Sequence, residues 1–370
     1  MSAPNQRTNP EANPFSATPY RTDPLATAAR GIKLAGRVAA IAANKLTGLP
    51  EPPYTTRGDY QPQRHVVLKP DVTHMATTRF GTDHQVDVYG SQHLGAERSD
   101  SPPLVMTLEL GVPSDRGFKA PVIKALGNFC TEQGRALVIV SSEGFAGREP
   151  TPRQLARLGF MDMAHNVMDC LDTVAANECV TIPRVETTGG SRGGTLSLLL
   201  ATEELADARA AKGLEPHQVV GVTAFAPAGL NRNGPRTAWQ FAYDEPSHMV
   251  RKASGMSPDG LIEYGRALVD TIPPAQALGA IAKTAALYVA TRPLDNIARR
   301  LPPETAVDIV VLDKDGLTSP AQWHHEMANS PNCNVFEMPG SHLSIDSLRR
   351  VAAIVEWHLS GRDMSVVEQA

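Results

Sequence analysis

The sequence predicts an α/β fold: a mostly parallel central sheet of about eight strands with helices on both faces. Three observations carry this. Short β-branched runs alternate with helix-forming runs over most of the chain, a pattern that builds parallel sheets from crossover units. One such junction is a glycine-flanked serine, Gly189-Gly190-Ser191-Arg192-Gly193, set between Val185-Glu186-Thr187-Thr188 and Thr195-Leu196-Ser197-Leu198-Leu199-Leu200-Ala201. The 370-residue chain, 42% hydrophobic, is long enough to bury a large single core.

In chain order, strands are expected near 64–69, 84–89, 104–110, 136–142, 183–188, 219–226, 306–312 and 333–338. The first helix, near 118–133, places Phe118, Val122, Ile123, Leu126 and Phe129 on one face. Further helices are expected near 152–177, 192–205 and 344–359. The strand at 183–188 is unusual for one covered on both faces, since Arg184 and Glu186 must pair or lie at its open end. Between Pro227 and Pro303 the pattern loosens into short helical pieces with scattered aromatics, among them Trp239, Phe241, Tyr264 and Tyr288.

The first 60 residues differ in character. Residues 1–23 are rich in Pro, Asn, Thr and Ser and lack the apolar core of a secretory signal, so they are expected to be disordered. Residues 24–47 suit an amphipathic helix carrying Arg30, Lys33, Arg37 and Lys45 and no acid. Such a helix can lie on an anionic membrane surface, meet a partner, pack on its own domain or pair two subunits into a homo-oligomer. No run reaches the ~20 apolar residues that a bilayer span needs.

A net charge of −4 gives no whole-chain case for nucleic-acid binding. Cys130, Cys170, Cys179 and Cys333 fall in apolar or helical contexts without paired spacing, which predicts buried free thiols in a reducing, cytoplasmic compartment. No metal site and no cofactor are expected. His324-His325-Glu326 lacks the i, i+4 spacing of a zinc helix and is read as a solvated surface run. His165 is read as a helix-face residue.

The chemistry centres on Ser191. A strand-turn-helix junction with a serine at its apex needs residues without a Cβ two positions to either side, and Gly189 and Gly193 supply them. The turn holds the hydroxyl beside a helix N-terminus, whose free N–H groups can receive an oxyanion. Asp313 and Asp315 follow the strand at 306–312, and His342 follows the strand at 333–338 in Pro339-Gly340-Ser341-His342. All three residue types therefore lie just past the carboxyl ends of strands, where open parallel sheets place their sites.

In the order Ser, Asp, His and in the glycine-flanked turn, the sequence resembles the α/β-hydrolase superfamily over roughly residues 60 to 360. The resemblance implies Ser191 as nucleophile, Asp315 as acid and His342 as general base. Asp315 is preferred to Asp313 because Leu312-Asp313-Lys314-Asp315 and Pro320 match the superfamily's strand, polar step, Asp and later Pro. The first oxyanion donor is the Arg192 N–H. The second belongs to the loop Leu110-Gly111-Val112-Pro113; Pro113 has no N–H, which leaves Val112 or Gly111.

The resemblance also implies an organisation: an extension over 1–60, a core from 61–227 and 304–362, and a helical cap inserted after the sixth strand over 228–303. The expected activity is hydrolysis of a small-molecule carboxylic ester through an acyl-enzyme. Thioesterase and proline iminopeptidase-like activities share the constellation, the latter through the Gly-Gly-Ser beginning of the turn. A protein of this fold that only binds or assembles, through its basic N-terminal helix, is the alternative from another class.

Overall fold

The computed structural model describes residues 69–95, 101–108, 120–143, 150–230, 278–313, 315, 317, 319–338, 342, 355 and 358–359. Its eight strands form one sheet: β1 (Val72–Thr77), β2 (Asp83–Tyr89), β3 (Leu104–Thr107), β4 (Leu137–Val140), β5 (Arg184–Gly190), β6 (Gln218–Phe225), β7 (Ala306–Leu312) and β8 (Cys333–Met338). Their spatial order is β1-β2-β4-β3-β5-β6-β7-β8. β2 runs antiparallel to both β1 and β4, and every pair from β4 to β8 is parallel. The carboxyl ends of β5, β7 and β8 consequently open onto the same rim.

Eight described helices connect or cover these strands: α1 (Ala120–Glu132), α2 (Pro152–Arg157), α3 (Phe160–Asn177), α4 (Arg192–Leu200), α5 (Glu203–Ala210), α6 (Leu278–Ala290), α7 (Ile297–Arg300) and α8 (Pro320–Met327). Two apolar clusters fill the interior. The larger joins α3 and α4 to Val86, Val138, Val185, Val222 and Ile309; the smaller joins α1 to Met106, Ile139, Val310 and Val355. Alternate residues of the same strands thus feed opposite clusters, as strands buried on both faces require.

Seven strands lie where the sequence places them, within a few residues. The expected strand near 64–69 falls almost wholly outside the described residues; the described edge strand is Val72–Thr77, a run that the sequence does not mark. Here the inward side chains are His74 and Ala76, while Met75 is 56% exposed. An edge strand that buries a histidine and exposes a methionine reverses the apolar alternation by which strands are recognised.

The helix expected over 152–177 is two. Thr151 caps α2 together with Gln154, and Gly159 then turns the chain in extended conformation, its N–H donating to Asp162 Oδ2 at 2.8 Å. The run 192–205 divides likewise after Leu200, where Thr202 donates its hydroxyl to Leu199 O at 2.7 Å. Such side-chain bonds give the backbone an alternative to the helical ladder. Of the helix expected over 344–359, Val355 and His358–Leu359 are described and helical. The extension over 1–60, with its basic segment 24–47, lies outside the described residues.

Segment 228–303 is described at 228–230 and 278–303. This portion packs into the larger cluster through Tyr288, Leu294, Ile297 and Leu301. Residues 231–277, most of the expected cap, lie outside the described ones. Of the four cysteines expected to be buried, Cys130 and Cys170 are, whereas Cys333 is half-buried and Cys179 exposed. Among the described residues no helix is long and apolar enough to cross a membrane, and no group of three or more His, Cys, Asp or Glu could hold a metal ion.

One of the two charges of β5, Glu186, has a partner at the amino-terminal end of the sheet. Arg135 Nη1 meets Glu186 Oε2 at 2.7 Å, and Arg184 is exposed. Nearby, His358 Nδ1 binds Asp308, which also accepts from Asn334 Nδ2 at 2.7 Å. A second charged group pins α5 to α3. Arg209, fully buried, donates to both carboxylate oxygens of Asp172 at 2.8 and 2.7 Å and to Glu215 O at 2.8 Å. His217 meets Asp172 from the other side at 2.8 Å. Burial alone would raise the Asp172 carboxyl, but the hydrogen bonds from His217 and Arg209 hold it below its ordinary value.

A depressed folded-state carboxyl contributes stability above the unfolded-state pKa and loses it as pH falls through the folded-state value. Arg209→Met is therefore expected to cost about 2–4 kcal/mol at pH 7, because it strands a partly buried carboxylate. The difference from wild type should shrink as pH falls below about 4 and through the lowered folded-state pKa of Asp172, beneath which the carboxyl is protonated in both proteins. Urea unfolding of the two proteins at pH 7 and pH 3 checks this.

Candidate active site

β5 ends in Gly189-Gly190, and Ser191 turns the chain directly into α4. Ser191 adopts φ 51° and ψ −118°, a region that L-residues rarely occupy. Its N–H donates to Phe225 O of β6 at 2.8 Å, and its carbonyl accepts from Thr195 N at 3.0 Å. The flanking glycines are a steric necessity. A Cβ on Gly193 would lie 2.2 Å from Thr107 O, and one on Gly189 would lie 2.5 Å from the Gly193 carbonyl carbon and 2.6 Å from Thr107 O. Thr107 is the last residue of β3, and its hydroxyl donates to Gly193 O at 2.7 Å.

The carboxyl ends of β7 and β8 bring the other two side chains to this turn. His342 Nε2 lies 2.8 Å from Ser191 Oγ, and His342 Nδ1 lies 2.9 Å from Asp315 Oδ2. The His342 and Asp315 side chains are only 3% and 1% exposed, so their contact is shielded from water. Asp315 is oriented by its own turn: its N–H donates to Leu312 O at 3.1 Å, and its Oδ1 accepts from Leu317 N at 2.8 Å. With the Nδ1 hydrogen directed at Asp315, the Nε2 lone pair faces the serine hydroxyl. Asp313, the other acid at this strand end, is exposed.

Arg192 is the first residue of α4. The N–H groups of a helix's first turn have no intrahelical acceptor, so that of Arg192 faces outward beside Ser191. Val112 and Gly111, expected to supply a second donor, lie outside the described residues.

Arg192 has a buried partner that no local motif identifies. Its guanidinium is 3% exposed, and Nη1 and Nη2 both donate to Glu143 Oε2 at 3.0 Å; Glu143 is also 3% exposed. Burial would raise the Glu143 carboxyl, yet the Arg192 guanidinium, with a smaller contribution from His84, holds it below the usual carboxylate range. Glu143 stands on a fixed base past the end of β4. The Ser141 N–H donates to Gln85 O of β2 at 2.9 Å, and Ser141 Oγ accepts from Gln85 N at 2.8 Å. The charged residue inside the glycine turn was a usable signal that a buried carboxylate must exist, since a cation in a core requires one. Nothing in the residue pattern singles out Glu143 among the acids.

One turn into α4, Thr195 donates to Ala228 O at 2.6 Å and accepts from the Tyr288 hydroxyl at 2.9 Å. Burial raises the Tyr288 phenol, which keeps it a donor. Tyr288 also packs on Phe160 with ring centroids 4.5 Å apart. Of the other candidates, His165 sits on α3 beside Phe80 with ring centroids 6.5 Å apart, and His324 makes an exposed contact with Glu337 at 2.9 Å.

The strand order, the single antiparallel β2 and the serine turn after β5 define the α/β-hydrolase fold. Solved structures sharing it include an α/β-hydrolase fold protein from Chitinophaga pinensis, with 17% identity and a TM-score of 0.52 over 80% of this chain and 98% of that one. A serine hydrolase involved in carbazole degradation has 14% identity and a TM-score of 0.52, covering 79% and 99%. A thermophilic esterase from Thermogutta terrifontis has 15% identity and a TM-score of 0.50, covering 79% and 100%. No family model and no curated protein matches the sequence.

The glycine contacts make a direct prediction. Gly193→Ala meets backbone that cannot yield, and should cost at least about 3 kcal/mol or abolish folding. Gly134 has a positive φ of 65° but open space around it, so Gly134→Asn should change stability by no more than about 1 kcal/mol. Thermal melts of the two variants test the contrast.

Proposed function

We propose that the protein is a serine hydrolase that cleaves a carboxylic ester through an acyl-enzyme. The observation that carries this reading is the continuous hydrogen-bonded chain from Ser191 Oγ through the His342 ring to Asp315, buried at the carboxyl rim of the sheet. A serine hydroxyl is a weak nucleophile at neutral pH. In the proposed mechanism His342 Nε2 takes its proton as Oγ attacks the ester carbonyl, and returns it to the departing alkoxide. Asp315 holds the tautomer and stabilises the imidazolium that forms between those steps. The Arg192 N–H, with a donor from Val112 or Gly111, receives the oxyanion, each donor being worth about 3–4 kcal/mol. Water then repeats the sequence on the acyl-enzyme and releases the acid. The solved neighbours include an esterase and a serine hydrolase, proteins of the same reaction class, which supports this reading.

A fluorophosphonate probe tests the assignment. Wild type should be labelled and Ser191→Ala should not, whereas removal of residues 1–50 should leave labelling intact. No labelling of the wild type, together with vesicle or partner binding that needs residues 24–47, would replace the hydrolase with a binding protein.

Asp315→Asn should lower kcat on a p-nitrophenyl ester on the order of 10³–10⁴-fold, and Asp313→Asn should leave it within about twofold. Equal losses in the two variants would remove Asp315 from its role. Because the base must be neutral, kcat should fall on the acid side of the range between about pH 5 and 8 in which histidine titrates. A flat profile there would exclude His342 as the base.

A further inference from the structure

We propose that Glu143 is a positioning residue for the reaction assigned above: by anchoring the Arg192 guanidinium it fixes the peptide whose N–H receives the oxyanion. The inference rests on that hydrolase reading and on three features of the turn. The Ser191–Arg192 peptide carries the donor, and its orientation is set by Ser191 ψ, which at −118° with φ 51° belongs to a strained conformation. Strain of this kind relaxes unless surrounding contacts over-determine it. On the Ser191 N–H side the restraint is the 2.8 Å bond to Phe225 O. On the Arg192 side it is the pair of 3.0 Å bonds to Glu143 Oε2.

The anchor is rigid at both ends. Glu143 follows Ser141, which is held to β2 by backbone and hydroxyl bonds to Gln85 and by the His84 ring at 2.8 Å from Ser141 O. Arg192 begins a helix whose next turn is clamped by Thr195 to Ala228 and Tyr288. The fork of a guanidinium against one carboxylate oxygen limits rotation about the side chain better than a single contact would. Since both groups are 3% exposed, water cannot substitute for either partner. The carboxylate of Glu143 is bonded to the Arg192 guanidinium, and its influence reaches the reaction through the Arg192 backbone.

Two variants test this. Glu143→Gln keeps an acceptor for the guanidinium but not the charge. The double variant Glu143→Leu/Arg192→Met replaces the pair with apolar side chains of similar size and leaves no stranded charge. Rates are measured on a p-nitrophenyl ester and on the matching thionoester, whose developing sulfur anion gains less from N–H donors than oxygen does.

The expected result is a fall in kcat of about 10- to 100-fold with KM within about twofold, and a fall in the ester-to-thionoester rate ratio, in variants that still fold. A folded double variant with wild-type kcat and wild-type ratio overturns the proposal, whatever its melting temperature. So does loss of folding in both variants, which would assign the pair to stability alone. A wild-type protein inert to both esters and to the fluorophosphonate probe overturns the hydrolase reading itself, and this inference with it.

Discussion

The close approach of α4 to the end of β3 is the constraint from which the rest of the site follows. Gly193 and Gly189 let the helix, the turn and Thr107 share a space in which one extra carbon would collide with backbone at 2.2 to 2.6 Å. That compression forces Ser191 into its positive-φ conformation and projects its hydroxyl above the sheet rim. It also ties the turn to β3, and β3 runs directly into the loop expected to carry Val112. The position of Ser191 and its distance from the end of β3 are therefore set by a single backbone contact, with the Thr107 hydroxyl bonded to Gly193 O as its polar complement. Short-range packing of this sort resists displacement far more steeply than a hydrogen bond between flexible side chains does.

The placement of acid and base depends less on packing and more on turn chemistry. Asp315 is three residues beyond β7, and its carboxylate is divided between two tasks: one oxygen closes a local turn with Leu317 N, the other faces His342. An aspartate that caps its own turn has little rotational freedom left, so the imidazole receives a fixed partner. This geometry accounts for the choice between two acids separated by one lysine. Asp313 N donates to Met338 O, which continues the β7–β8 pairing and leaves its side chain on the exposed side. Only after the chain turns at Leu312 does an acid point along the rim.

Much of this was legible in the residues, and what was not has identifiable causes. The serine turn, the three residues that meet there and seven strands follow from local signals: glycines that a crossing demands, β-branched runs, and acids and histidines just beyond them. β1 was not, because a strand that buries His74 and exposes Met75 inverts the usual alternation. The breaks at Gly159 and Thr202 depend on side-chain caps that compete only slightly with a continuing helix. Of the charges of β5, which argued against a buried strand, Glu186 is met by Arg135, a residue 51 positions away, and Arg184 is exposed. The Glu143–Arg192 pair belongs to the same category. Long-range pairing of charges is invisible to any pattern read within a window of sequence, although the need for a partner is not.

That last pair also bears on the electrostatics of the proposed reaction. The proposed catalysis would pass through a state with an oxyanion above the α4 N-terminus and an imidazolium beside it. An uncompensated guanidinium next to Ser191 would favour the first and oppose the second, trading one half of the mechanism against the other. With Glu143 ionised and bonded to it, Arg192 contributes almost no net charge, and the oxyanion is left to the directional N–H dipoles of the helix end. Dipoles aimed at one point stabilise charge there and fall off quickly with distance, so the imidazolium is not penalised. A neutral, rigid pair beneath the turn thus separates the two charges that the chemistry must develop together, which a lone cation in the same position could not do.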